Sequence, residues 1–343
     1  MSKTARTLRP WLRFVVLLAV VAAAVWLFFD GFDAPGFVAR LAGANPLYVA
    51  VAVVVYSASW YLRGARYADI LGRTGHDCGV IAMTGAVFVS QTANLVFPAR
   101  AGDGARAYIV KKRNGVPYTA GVASLTAERV LDLVAVLSIG GIGLVLTLVA
   151  SGGFEPTRGR DAFLAAVAVG GVTVAVVFGV YLVRGTGSSL RGREGDGRLD
   201  EVFRGVGEFV ADLGAVFDGR RGVARLSATS LGIWLIDVAT CVVVFYALGV
   251  TFDGLVAVSL LAVSVGNLAK VVPATPGGVG LYEAGFAAVV VGATGLGWET
   301  AVAVAVLDHA LKNGVTVVGG VASALVLNVS LTRPAEAEVE MDV

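Results

Sequence analysis

Two cysteines and two histidines in 343 residues are too few and too scattered for a disulfide framework or a zinc site. Cys78 and Cys241 share no ligand spacing, and both are expected to be buried structural thiols. There is no GxSxG elbow, no HExxH pair and no Walker lysine loop, so no hydrolase, zinc protease or ATPase motif is present. Nothing in the sequence asks for a cofactor or a metal. Charge is sparse as well: 15% of residues are charged and the formal net charge is +2, too little for nucleic-acid binding. What remains is apolar. The chain is 57% hydrophobic, and its mean hydropathy of +0.79 is that of a multi-span membrane protein. No segment between the apolar runs is long enough for a soluble domain, so residues 1–327 are expected to form one membrane domain. Residues 328–343, with Arg333 and acidic Glu336, Glu338, Glu340 and Asp342, read as a short solvated tail.

Lys3, Arg6, Arg9 and Arg13 precede the apolar run Phe14 to Phe29, which has no small-residue cleavage site after it and is expected to be a first span. Pro46 to Leu62 returns and ends at a second basic loop with Arg63, Arg66 and Arg73. Gly79 to Phe97 reaches the ~20 residues of a span. Crossing there would put Arg100, Arg106, Lys111, Lys112 and Arg113 outside with only Asp103 to offset them, against the basic bias of cytoplasmic loops. A re-entrant hairpin avoids the conflict. Tyr118 to Ala150, Phe163 to Val183, Leu226 to Leu248 and Thr300 to Leu327 are the further spans, and Leu255 to Leu296 forms a second hairpin. Between them, residues 184–225 form an arginine-rich cytoplasmic loop. Its Val202, Phe203, Val206, Phe209, Val210, Leu213, Val216 and Phe217 have helical spacing, an apolar stripe suited either to the membrane surface or to the floor of the bundle.

The expected fold is an all-α polytopic membrane protein with about six full spans and two re-entrant broken-helix hairpins, and both termini in the cytoplasm. Residues 46–150 and 226–327 would be inverted repeats; eight full spans is the competing topology. The two breaks carry the repeat. Asn94, Pro98 and Gly102 in SQTANLVFPARAGD answer to Asn267, Pro273 and Gly277 in SVGNLAKVVPATPGGVGLYE. Glu128-Arg-Val-Leu-Asp132 is echoed by Asp308-His-Ala-Leu-Lys312. Backbone broken at membrane depth must be received by protein or a water-filled cavity. Two breaks in matching positions mark a transporter-like site.

Ionisable groups within spans cost about 2.5–3.5 kcal/mol each on insertion scales, so they face partners or a cavity. Arg100, Asp103, Arg106, Glu128, Arg129 and Asp132 in the first half, with Asp237, Lys270, Glu283, Asp308, His309 and Lys312 in the second, are such groups. Pairing of Glu128 with Arg129 or Arg106, Asp132 with Arg129, and Asp308 with Lys312 is the structural expectation. Arg100, beside the first break, is the expected phosphate ligand, held by Asp103 or Glu128 when the site is empty. The restart after Pro276-Gly277-Gly278-Val279-Gly280 offers backbone N–H groups to an anion. His309 beside Asp308 is a candidate proton relay.

Taken together, Asn94 to Arg106, Glu128-Arg129-x-x-Asp132 and Pro273-Ala-Thr-Pro-Gly-Gly-Val-Gly-x-x-Glu283 resemble the lysylphosphatidylglycerol synthase transmembrane-region family of flippase-like proteins over nearly the whole chain. The resemblance implies movement of a lipid with an anionic or glycosylated headgroup between leaflets of the cell membrane. Runners-up are lipid aminoacylation or glycosyl transfer, with Glu283 or Asp103 as base, and a scaffold for a partner transferase. No aminoacyl-transferase domain follows Leu327 and no glycosyltransferase domain precedes Phe14, so the synthetic half of the family's activity is not expected.

Overall fold

A computed structural model describes residues 33–97, 100, 102–150, 198–270 and 275–328, with backbone alone for 198–203. Among the described residues there are ten α-helices and no strand. They are α1 (Ala34–Ala42), α2 (Pro46–Arg73), α3 (Val80–Val96), α4 (Gly102–Asn114), α5 (Tyr118–Ala150), α6 (Arg198–Val216), α7 (Arg220–Ala247), α8 (Leu255–Ala269), α9 (Leu281–Thr294) and α10 (Trp298–Val326). Five stretches are long and apolar enough to cross a membrane: α2, α5, α7, α10 and Pro276–Thr294. The last contains a kink at Gly277, φ 63°. Beyond it α9 has 14 residues, about 21 Å of helix at 1.5 Å per residue, short of the ~30 Å hydrocarbon core. The chain is an all-α polytopic membrane protein. The expected spans Phe14–Phe29 and Phe163–Val183 lie outside the described residues, as do Pro98, Pro273 and the tail from residue 329.

Local sequence sets the helix ends. Asn45 caps α2 by accepting from Leu47 N at 3.0 Å, and Pro46 supplies a first turn that needs no donor. α2 does not stop at Leu62, where the basic residues predicted a loop; it runs to Arg73. Arg66 is inside the bundle at 1% exposure, and its charge is met by Asp132 and Glu128. A cation so neutralised has no need of the interface, which hydropathy cannot foresee.

Helices of the two halves interleave. α2 lies against α7, α5 against α8, and α10 against α3, while α3 with α4 and α8 with α9 form short helix pairs. Glycine makes the seams close. A Cβ at Gly143 of α5 would stand 2.7 Å from Leu261 N and 2.9 Å from Ala257 O of α8. One at Gly320 of α10 would meet Thr92 Oγ1 of α3 at 1.9 Å, the hydroxyl that donates to Thr316 O at 2.8 Å. Gly143→Ala forces backbone apart and should cost about 1–3 kcal/mol, as overpacking does, measurable as a lower unfolding midpoint in detergent. Gly232→Ala, with open space around it, is the control.

α6 resolves the two readings of the amphipathic loop for its C-terminal part. Leu213, Val216 and Phe217 are buried with Ile70, Ala127, Leu131 and Leu226, so this face caps the bundle. The Arg73 guanidinium donates to Asp218 O at 2.8 and 3.2 Å, and Arg225 pairs with Asp69, fastening the cap's lower edge.

Candidate functional site

The two broken-helix tips meet. Leu95, one residue before the end of α3, packs where a Cβ on Gly277 would be 2.9 Å from its Cδ2. Gly277 is at φ 63° and Gly278 at φ 74°, conformations that glycine adopts without strain. Across the gap Arg100 sits at φ 57° without that freedom. α4 then begins so close to α3 that a Cβ on Gly102 would lie 2.2 Å from Ser90 O.

Behind the first tip is a closed network of charges. Asp103 accepts from Asn94 Nδ2 at 3.0 Å, Ser90 Oγ at 3.2 Å, and Arg129 Nη2 at 2.9 and 2.7 Å. Arg106, fully buried over the Tyr67 ring, donates to Glu128 Oε2 at 2.6 Å. Glu128 also faces Arg66 at 3.3 Å, and Arg66 donates to Asp132 at 2.6 Å and to Ser230 Oγ at 2.9 Å. Trp234 Nε1 completes the shell of Asp132 at 2.9 Å. Three carboxylates thus meet three guanidiniums. The expected pairs Glu128 with Arg106 and Asp308 with Lys312 form. Asp132 takes Arg66 where Arg129 was expected, and Asp103 takes Arg129, leaving Arg100 with neither expected carboxylate.

The second network joins α7, α9 and α10. Lys312 Nζ lies 3.1 Å from Asp237 and 2.8 Å from Asp308, and Tyr282 donates its hydroxyl to Asp308 at 2.6 Å. His309 Nδ1 is 2.6 Å from Glu283 Oε1, and the other Glu283 oxygen accepts from Gly280 N at 2.6 Å, capping α9.

Between the networks and the tips is a cavity of about 490 Å³. Three of its lining cations, Arg63, Arg100 and Lys270, form no ion pair among the described residues. Arg63 is flanked by the Trp60 and Trp234 rings at 5.7 and 6.0 Å, and Lys270 lies over Tyr282 at 4.7 Å. Amides of Gln91, Asn94, Asn267 and Asn313 also line it, together with Asp132 and Asp237, which are held by Arg66 and Lys312. Such a pocket offers positive charge, amides and aromatic faces to an anionic, hydrogen-bonding group.

The profile of the lysylphosphatidylglycerol synthase TM region matches residues 14–320. The chain belongs to this family. Among curated proteins it is similar to glycosyltransferase AglD of Haloferax volcanii, 44% identical over 350 residues, 95% of this chain and 56% of that protein. It is also similar to a UPF0104 membrane protein of Methanothermobacter thermautotrophicus, 28% identical over 319 residues, 87% of this chain and 89% of that protein. The chain therefore spans little more than half of the first relative.

In this family member the cavity wall brings together Asn94, Arg100, Arg129, Asp132, Asn267, Lys270, Gly277 and Gly278 of the sequence-predicted residues. Asp103, Arg106 and Glu128 stand behind it in the first network, and Asp308 and Glu283 in the second. Gly102 sets the approach of α4 to α3, and Pro276 and Gly280 belong to the turn before α9. Sequence reasoning missed Tyr56, Trp60, Arg63, Trp234 and Tyr282 as lining residues. A signal existed: Trp60-x-x-Arg63 recurs as Trp234-x-x-Asp237, tryptophan and a charge three apart on facing helices α2 and α7.

Proposed function

We propose that this chain moves a lipid with a phosphate-bearing or glycosylated headgroup between membrane leaflets, with the headgroup in the cavity at the two tips. The observation that carries the reading is the trio Arg63, Arg100 and Lys270, cations facing one enclosure that form no ion pair among the described residues. A bundle built for stability alone gains nothing from such charges. The interleaved packing supports an inverted repeat. Exchanging the halves carries the α5 with α8 contact into the α10 with α3 contact and returns the α2 with α7 contact to itself. In this reading α3–α4 and α8–α9 are hairpins entering from opposite sides of the cell membrane, with Lys111, Lys112 and Arg113 and both termini on the cytoplasmic side.

Purified protein in vesicles should expose inner-leaflet fluorescent phospholipid to an impermeant quencher with no second substrate present. Arg100→Lys keeps charge but loses the planar fork, so it should slow exchange several-fold at normal expression. Vesicles that exchange lipid no faster than protein-free ones would end the transport reading. A second reading draws on the 44% identity to a protein named a glycosyltransferase: the chain is the membrane portion of a lipid-linked glycosyl-transfer system and receives its lipid in the same cavity. Headgroup chemistry by the purified protein in detergent, without exchange in vesicles, would favour it.

A further inference from the structure

We infer that the cavity selects a polyol phosphodiester: its cations take the phosphate, the carboxamides of Gln91, Asn267 and Asn313 take hydroxyl groups carried beside it, and an amine-bearing headgroup is disfavoured. The inference rests on the proposed headgroup site and names what that site selects. Its ground is a set of hydrogen-bond acceptors that a phosphate cannot use. Asn94 is already committed, with its Nδ2 donating to Asp103. Asn267 donates its Nδ2 to Val263 O at 2.8 Å. A carbonyl only accepts, so that bond fixes which way the amide faces, and Asn267 Oδ1 is left without a partner among the described residues. Gln91 and Asn313, half-buried on the same wall, make no side-chain hydrogen bond among the described residues. Each brings an oxygen that accepts and an NH2 that donates.

Placement puts these amides beside the unpaired cations. Asn267 stands three residues before Lys270 at the end of α8, one helical turn away on the same face. Gln91 is in the last two turns of α3, the helix that leads to Arg100, and Asn313 follows Lys312 on α10. Phosphodiester oxygens only accept, so they suit Arg100 and Lys270 and do nothing for a carboxamide oxygen. A hydroxyl group both donates and accepts, and it serves either end of an amide. An ammonium group also donates, but here it would enter beside Arg63, Arg100 and Lys270, while the lining carboxylates Asp132 and Asp237 are held by Arg66 and Lys312. Like charges repel strongly in an enclosure with little water. A site whose polar groups are left unpaired by a ligand rejects that ligand, so a headgroup without hydroxyls is discriminated against as well.

Three dioctanoyl lipids separate these terms: phosphatidylglycerol, phosphatidylmethanol with the same charge and no hydroxyl, and phosphatidylethanolamine with an amine. Binding to the purified protein is measured by calorimetry against protein-free detergent. Phosphatidylglycerol should bind about tenfold more tightly than either of the others, the worth of a small number of neutral hydrogen bonds. Glycerophosphoglycerol, the same headgroup without acyl chains, should bind at least tenfold more weakly than the lipid; equal binding would overturn a lipid as the source of the polyol. Asn267→Leu and Gln91→Leu should each lower the ratio of phosphatidylglycerol to phosphatidylmethanol affinity several-fold, a change that general damage to the bundle would not produce. A ratio that keeps its native value in both variants overturns the assignment of hydroxyls to these amides. Phosphatidylmethanol or phosphatidylethanolamine binding as tightly as phosphatidylglycerol overturns the selection and leaves the headgroup site standing. If none of the three lipids binds, both fall.

Discussion

Arg66→Ala should be the most damaging single change in the bundle. It strips the cation from between Glu128 and Asp132, two carboxylates buried to 2% and 8% exposure. Breaking a buried pair from one side costs about 3–5 kcal/mol, because the abandoned charge stays where water cannot reach it. Little folded protein should be recovered, and what is recovered should unfold well below the native chain in a detergent melt. Removing charge from both sides tests the cause: Arg66→Met with Asp132→Asn should recover much of the loss. If Arg66→Ala melts with the native protein, the network carries no structural weight.

Arg100→Gly should do the reverse. Arg100 holds a left-handed backbone, φ 57°, that costs a side chain about 1–2 kcal/mol and glycine almost nothing. No carboxylate among the described residues is left unpaired by its loss. The variant should therefore match or exceed native stability. Its binding of dioctanoyl phosphatidylglycerol should fall about tenfold or more, since a hydrogen bond to a charged group contributes ~1.5–3 kcal/mol. A stable variant that binds as the native chain does would remove Arg100 from the site. A destabilised one would mean that the guanidinium has a structural partner. Strain kept at a residue that makes no ion pair is what a ligand-holding position looks like.

The sequence made the helical, multi-span character plain, and it located the breaks through Pro-Ala and glycine pairs that apolar helices do not otherwise need. It placed Asp103, Arg106, Glu128 and Asp308 at membrane depth because each sits beside a break or within an apolar span. It failed at Arg63 and Arg66. A cation near a span's end is read as interfacial from its chain neighbours, but Arg66 is neutralised by α5, more than sixty residues away. Partner choice failed for the same reason: Asp132 lies three residues from Arg129, yet Arg66 takes it from another helix. The aromatic wall was missed because tryptophans in apolar helices look like ordinary core until Trp60 and Trp234 are seen on either side of Arg63.

The interleaving of α5 with α8 and α3 with α10 governs how the protein is made. During synthesis α3 and α5 enter the membrane with their partners still unwritten. The faces at Gly143 and Thr92, shaped for close helix contact, stand open until residues beyond 250 emerge. At ribosomal rates that is a wait of seconds to tens of seconds. Throughout it Arg66, Arg106, Glu128 and Asp132, which pair within the first half apart from the Ser230 and Trp234 contacts, keep one another neutral. The arginine network thus has a second office, to let an unfinished half remain in lipid until the rest of the chain arrives to complete its core.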